Sequence, residues 1–319
     1  MALGEFELID RFFRRPARQA VVGVGDDCAV LAPTPGMQWC VTTDLLIEGR
    51  HFLPTVAPER IGHKALAVNL SDLAACGAEP RAFTLALAMP RADEAFLEGF
   101  ARGLLALADA HGIELVGGDT TAGPLVISIT AFGEVPAGRA LLRGGARAGD
   151  ELWVSGTLGD ARAALEAFRG NARISAEAFD AARCAMERPQ PRVALGIALR
   201  GLATSAIDLS DGLLGDLGHV LRASGVGARV EIAALPRSRW LGELPPALQR
   251  SCLLQGGDDY ELLFTAPAPR AAAVQAAAQA AGVAVARIGR IEPGAALRVV
   301  DADGRAVEVA ASGFDHFRT

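Results

Sequence analysis

Seven aspartates occupy positions from which an α/β protein can build a ligand site. Asp26, Asp27, Asp44, Asp119, Asp208 and Asp211 follow apolar, strand-like runs or glycine-rich turns, and Asp72 falls within a helical pattern. Strand ends and the loops after them are where such folds assemble ligands. Singly, each aspartate has an ordinary explanation as a turn residue or helix cap. Their shared placement points instead to one constellation. Carboxylates brought together repel, and cations or raised pKa values must relieve the repulsion. An all-aspartate site that handles phosphate needs metal between the anions. Mg2+ suits it, because it takes carboxylate and phosphate oxygens together and keeps several waters. Thr42, Thr43 and the backbone of the glycine-rich turns can add neutral oxygens or N–H donors.

Several other chemistries lack their residues. A Walker A loop needs Gly-Lys-Ser/Thr, and the one lysine of the chain, Lys64, sits in His63-Lys64-Ala65. Protein-kinase signatures and a Gly-x-Ser-x-Gly elbow are missing. Gly23-Val24-Gly25 does not continue as a dinucleotide fingerprint. The five histidines (51, 63, 111, 219 and 316) and the five cysteines are scattered without zinc-ligand spacing. A formal charge of −6 offers no basic face for nucleic acid. No run approaches the roughly 18 to 20 apolar residues of a membrane helix. The first residues carry acids and no apolar signal core, and the unpaired cysteine pattern fits a reducing, cytoplasmic setting. Cys28, just before an apolar run, reads as a core residue.

The elements that must position these residues alternate between strand and helix. Gln38–Thr43 reads as a strand delivering Asp44 at its end. Glu59–Ala75 reads as a helix with Lys64, Val68 and Asp72 on one face. Asp93–His111 is a second helix, with Phe96, Phe100, Leu104 and Leu107 as its buried stripe and Gly112 as its cap. Residues 113–118 form a strand ending in Gly117-Gly118-Asp119, and 125–135 a further strand. Residues 20–31 read as strand, turn, strand. Beyond a small-residue stretch at Gly144–Gly149, strands at 151–155, 205–209, 229–232, 260–264, 284–288 and 297–300 alternate with helices at 159–168, from 193, up to about 223, and at 268–281. The class is α/β (α+β), with domains at 1–148 and 149–319. Leu70-Ser71-Asp72 and Gly117-Gly118-Asp119 are echoed by Leu209-Ser210-Asp211 and Gly256-Gly257-Asp258. Both aspartate pairs are 47 residues apart (119 − 72 and 258 − 211), which either a duplication or coincidence explains.

Eight segments in order, GVGDDCAVL (23–31), TTDLLIEGRHF (42–52), HKALAVNLSDLAACGAEP (63–80), VGGDTTAGPL (116–125), GRALLRGGARAGD (138–150), AIDLSDGLLGDLGH (206–219), GGDDYELLF (256–264) and GFDHF (313–317), together resemble the thiamine-monophosphate kinase family. This family belongs to a larger group with aminoimidazole ribonucleotide synthetase, selenophosphate synthetase and a hydrogenase-maturation protein. The resemblance implies an N-terminal ATP- and Mg2+-binding domain that dimerises through its sheet, and a C-terminal α+β domain completing the active-site cleft. It implies phosphorylation of thiamine monophosphate by ATP, in a homodimer. By position it assigns Asp27, Thr42, Thr43, Asp44, Asp72, Asp119, Asp208 and Asp211 to Mg2+. Asp44, Asp72, Asp119, Asp208 and Asp211 thereby become the catalytic set. Gly118, Asp119, Arg143 and Ser210 fall where the family contacts ATP, and His51, Asp258 and Phe314 where it contacts the thiamine phosphate. At Asp258 the family commonly carries glutamate. The alternatives are a sister enzyme of the group or a nucleotide-binding maturation protein without catalysis. Selenophosphate synthetases pair a reactive cysteine with a lysine near the N-terminus, and no such pair occurs here.

Overall fold

The alternation of strand and helix periodicity resolves into two α/β units in the computed structural model of the chain, which describes residues 4–309. One unit runs to Leu73 and resumes at Ala78–Gly138; the other takes Ala74–Gly77 and the chain from Arg139 onward.

In the first unit, a short helix α1 (Glu5–Leu8) continues as a π-type turn through Phe13. Four strands follow among two long helices: β1 (Met37–Ile47), α2 (Pro58–Ala75), β2 (Glu79–Met89), α3 (Glu94–His111), β3 (Glu114–Ala122) and β4 (Val126–Pro136). The strand order is β1-β4-β2-β3, and only β2 and β3 run parallel. Helix α2 buries Leu66, Leu70 and Leu73, and α3 buries Phe100, Leu104 and Leu107. Each such side chain contributes about 1.5–3 kcal/mol of burial. Phe96, expected in the buried stripe of α3, is only half-buried and stacks on Phe100 at 5.8 Å. The two helices approach to backbone contact: a Cβ on Gly62 would lie 2.0 Å from the Phe100 carbonyl oxygen, and one on Gly103 1.8 Å from that of Glu59. Asp93 caps α3 by accepting from the Phe96 N–H at 3.1 Å, and Gly112 closes it with φ 64°. Along β1 the alternate residues Trp39, Val41, Leu45 and Ile47 are exposed, whereas Leu46 is buried.

The second unit holds β5 (Asp150–Ser155), α4 (Asp160–Phe168), α5 (Ala176–Glu187), α6 (Val193–Ala198), β6 (Ser205–Asp208), α7 (Leu213–Ser224), β7 (Gly227–Glu231), α8 (Pro246–Gln255), β8 (Leu262–Pro267), α9 (Ala271–Ala280), β9 (Val285–Glu292) and β10 (Leu297–Val300). Its sheet runs β10-β7-β9-β5-β8-β6. Leu152, Val154, Ile207, Leu217, Val230, Leu263 and Ile288 form its core. Trp153 and Phe264 stack across β5 and β8, with ring centres 6.4 Å apart.

Some expectations change. Residues 20–31 make only isolated bridges, Val22 with Val30 and Val24 with Asp26, and Cys28 is exposed rather than core. β1 and β3 extend past Thr43 and Gly118, so Asp44 and Asp119 lie inside strands, not at their ends. β2, α5 and α8 have no counterpart in the sequence reading. The two 47-residue spacings join unlike elements: Asp72 lies on a helix and Asp119 in a strand, whereas Asp211 and Asp258 both lie in loops. Among the described residues no helix is long and apolar enough to cross a membrane.

Candidate active site

In the first unit, β1 and α2 bring three of the expected site residues together. Half-buried Asp44 on β1 and Asp72 on α2 come close enough to interact as like charges. Burial first, and Asp72 second, push the Asp44 carboxyl up to about 7. The Thr42 hydroxyl donates to an Asp72 carboxylate oxygen. The Thr43 and Thr130 hydroxyls are hydrogen-bonded across β1 and β4 at 2.8 Å.

His51 sits in the turn that follows β1. Its Nδ1 accepts from the Ile47 N–H at 3.0 Å, which fixes the proton of the neutral ring on Nε2. Buried Lys64 donates to the His51 carbonyl at 3.2 Å. Exposed Asp119 lies on β3, separated from β1 by β4 and β2. Gly118 before it has φ 152°, and a Cβ there would stand 1.8 Å from the Leu85 carbonyl oxygen, so the β2–β3 approach requires glycine. Asp27 is exposed, its N–H donating to Asp26 Oδ1 at 2.8 Å.

In the second unit, Asp208 ends β6 and is buried, with Ser210 and Asp211 in the loop leading to α7. The Ser210 carbonyl accepts from the Asp258 N–H at 2.9 Å, which brings these two expected contact residues side by side. Exposed Arg143 lies near the same loop, where its charge acts on Asp216 and His219. Phe314 lies outside the described residues.

Two acids of this neighbourhood escaped the sequence reading. Buried Asp216 accepts from the N–H groups of Asp211 and Gly212, both at 3.1 Å, and so shapes the loop. Burial and the adjacent Asp211 push its carboxyl up to about 7, against the pull of those hydrogen bonds and of Arg143. Asp259 accepts from the Gly159 N–H at 3.0 and 3.1 Å, and burial drives its carboxyl upward. The available signal was the recurrence of acids in DGLLGD and GGDD, which resembles ordinary capping.

Among the described residues no three His, Cys, Asp or Glu side chains cluster to form a metal cage by themselves. Mg2+ asks for less: one or two carboxylates, with phosphate oxygens and waters completing the octahedron. The Asp44–Asp72 pair with Thr42 offers hard oxygen donors of this kind, and its two carboxylates act on each other as like charges.

Residues 25–135 match the AIR synthase related protein, N-terminal domain, and residues 147–302 match the corresponding C-terminal domain. The chain is thus a two-domain protein of the AIR synthase related class. The thiamine-monophosphate kinase of Salmonella typhimurium strain LT2 is 44% identical over 325 residues, spanning 100% of both chains. The crystal structure of thiamine-monophosphate kinase from Stenotrophomonas maltophilia K279a matches with a TM-score of 0.86 and 47% identity, over 96% of this chain and 99% of that one. AaThiL complexed with AMPPCP and TMP matches with a TM-score of 0.77 and 33% identity, over 90% and 89%. The chain belongs to the thiamine-monophosphate kinase family.

Proposed function

We propose that this chain transfers the γ-phosphoryl group of ATP to thiamine monophosphate, giving thiamine diphosphate and ADP. The observation that carries the reading is the end-to-end likeness to a thiamine-monophosphate kinase at 44% identity. The match to AaThiL complexed with AMPPCP and TMP supports it.

The acceptor is an oxygen of a phosphate monoester, already largely anionic near neutral pH, so no strong general base is required. That oxygen forms a new bond to the γ-phosphorus while the bond from γ-phosphorus to the β,γ-bridging oxygen breaks, and the electron pair leaves with ADP. The obstacle is aligning two polyanions, so positioning and charge neutralisation supply the acceleration. Asp27, Thr42, Thr43, Asp44, Asp72, Asp119, Asp208 and Asp211 are the residues assigned to hold Mg2+, which when bound neutralises phosphate oxygens. Gly118 offers backbone to ATP without a side chain in the way. Ser210 and Arg143 contact the nucleotide, Arg143 offsetting charge on the transferring group. His51, Asp258 and Phe314 contact the thiamine phosphate. His51, with its ring proton on Nε2, can donate to a phosphate oxygen.

The working form is a cytoplasmic homodimer paired through the first sheet. The exposed apolar row Trp39, Val41, Leu45 and Ile47 on β1 supports that pairing. The assay is purified protein with Mg-ATP and thiamine monophosphate, its products followed by chromatography. Thiamine diphosphate and ADP are expected in equal amounts. Thiamine proving the better acceptor, or ATP binding without turnover, would sink the reading.

A further inference from the structure

Asp258 and Tyr260 are the described non-glycine residues with left-handed backbone, φ 70° and 50°. Side chains rarely adopt that conformation, and such strain persists only where the surroundings over-determine it. The next residue, Glu261, is buried and held from two sides. Arg192 grips it with a fork, Nε to Oε2 at 2.7 Å and Nη2 to Oε1 at 2.5 Å. The Ser155 hydroxyl donates to Oε2 at 2.5 Å and accepts from the Leu262 N–H at 2.8 Å. A Cβ at Gly156 would stand 2.0 Å from Oε1, so the pocket leaves space for the carboxylate and nothing more. From this anchor the turn is zipped onto the β6–α7 loop. The Glu261 carbonyl accepts from the Leu209 N–H at 2.8 Å, the Tyr260 N–H donates to the Leu209 carbonyl at 2.8 Å, and the Asp258 N–H donates to the Ser210 carbonyl at 2.9 Å.

We infer that Glu261, clamped by Arg192 and Ser155, is a positioning residue that holds the Asp258–Tyr260 turn in its strained form and so sets where Asp258 meets thiamine monophosphate. The inference rests on the reading of Asp258 as a contact to that substrate. A buried ion pair is a poor source of net stability, since apolar packing of equal volume often does as well. A bidentate fork does fix geometry, and here it lies three residues from the contact.

Arg192→Lys keeps the charge and removes the fork. Ser155→Ala removes the bridging hydroxyl and leaves the ion pair, and it serves if the first variant folds poorly. In both, hydrogen exchange at the Asp258 and Tyr260 amides should quicken by about tenfold or more, with the β5 amides and the β8 amides beyond Leu262 unchanged. The KM for thiamine monophosphate should rise by about tenfold, with kcat and the KM for ATP within about twofold of wild type. Adding Asp258→Ala to either variant should raise that KM no further than Asp258→Ala alone. Unchanged exchange at the two amides, or changed exchange with an unmoved KM, overturns the inference. If wild-type protein fails to phosphorylate thiamine monophosphate, the functional reading falls, and the exchange measurement still decides whether Glu261 anchors the turn.

Discussion

Asp44 carries a charge that its surroundings resist. An ordinary aspartate ionises near 3.8, and burial with the neighbouring Asp72 moves this one to about 7. The folded chain therefore holds that proton more tightly than the unfolded chain does. Ionising Asp44 costs stability that is intact below about pH 4 and lost as pH rises through about 7. Without metal or nucleotide, Asp44→Asn should melt later than wild type at pH 8, by on the order of 2 kcal/mol, and the gap should close by pH 4. Asp72→Asn should bring the Asp44 midpoint down without returning it to 3.8, because burial is the larger cause. The same substitution should lower kcat by roughly 10²-fold, about 2.7 kcal/mol, while leaving the ligand-free melting temperature at or above wild type. A merely structural aspartate would give the reverse, early melting with normal turnover. The convergence of Asp44 and Asp72 was legible because a strand and an i, i+4 helical face each left one carboxylate to place. Asp216 and Glu261 were not legible, since a buried acid that binds backbone N–H groups or an arginine looks in sequence like any cap or surface acid.

At the scale of elements, glycine decides how close α2 and α3 lie. A methyl group at Gly103 would meet the Glu59 carbonyl oxygen at 1.8 Å, so the helices must part before alanine fits. Gly103→Ala should cost about 3 kcal/mol in a thermal or urea melt. It should also lower turnover, because α2 carries Asp72. The helices themselves were readable from their 3.6-residue stripes, and α3 also from its Gly112 cap; the Asp93 cap emerged only in the structure. β2 was not. Its sequence, EPRAFTLALAM, is rich in leucine, alanine and methionine, which favour helix, and only pairing between β4 and β3 makes it a strand. Asp119 illustrates the same limit. Gly117-Gly118 looks like a turn in sequence, yet β2 continues to pair with it because Gly118 lets the backbones meet.

At the scale of the whole molecule, the chain divides into two α/β units, the second taking Ala74–Gly77 from within the first and then the chain from Arg139. The long apolar alternation of β1 was read as far as Thr43, which left out Leu45 and Ile47. Those residues extend the exposed apolar row that supports pairing of two chains. Leu45, about half exposed at 51%, can be replaced without opening the core. Leu45→Arg should convert a dimer at micromolar concentration into a monomer in sedimentation, with the monomer's circular dichroism unchanged. A wild-type chain that already sediments as a monomer would remove the first sheet as the assembly surface.

The lone lysine has a practical consequence. Lys64 is 4% exposed, and every other basic side chain apart from the histidines is arginine. Amine-directed reagents therefore meet no accessible lysine while the first unit is folded. Acylation of Lys64, read by mass spectrometry on the single modifiable lysine, becomes a clock for opening of that unit. The labelling rate should be slow in the native protein and slower again with Mg-ATP and thiamine monophosphate present. It should rise to that of a free lysine in denaturant. Rapid labelling under native conditions would mean that α2 opens far more often than its buried leucines suggest.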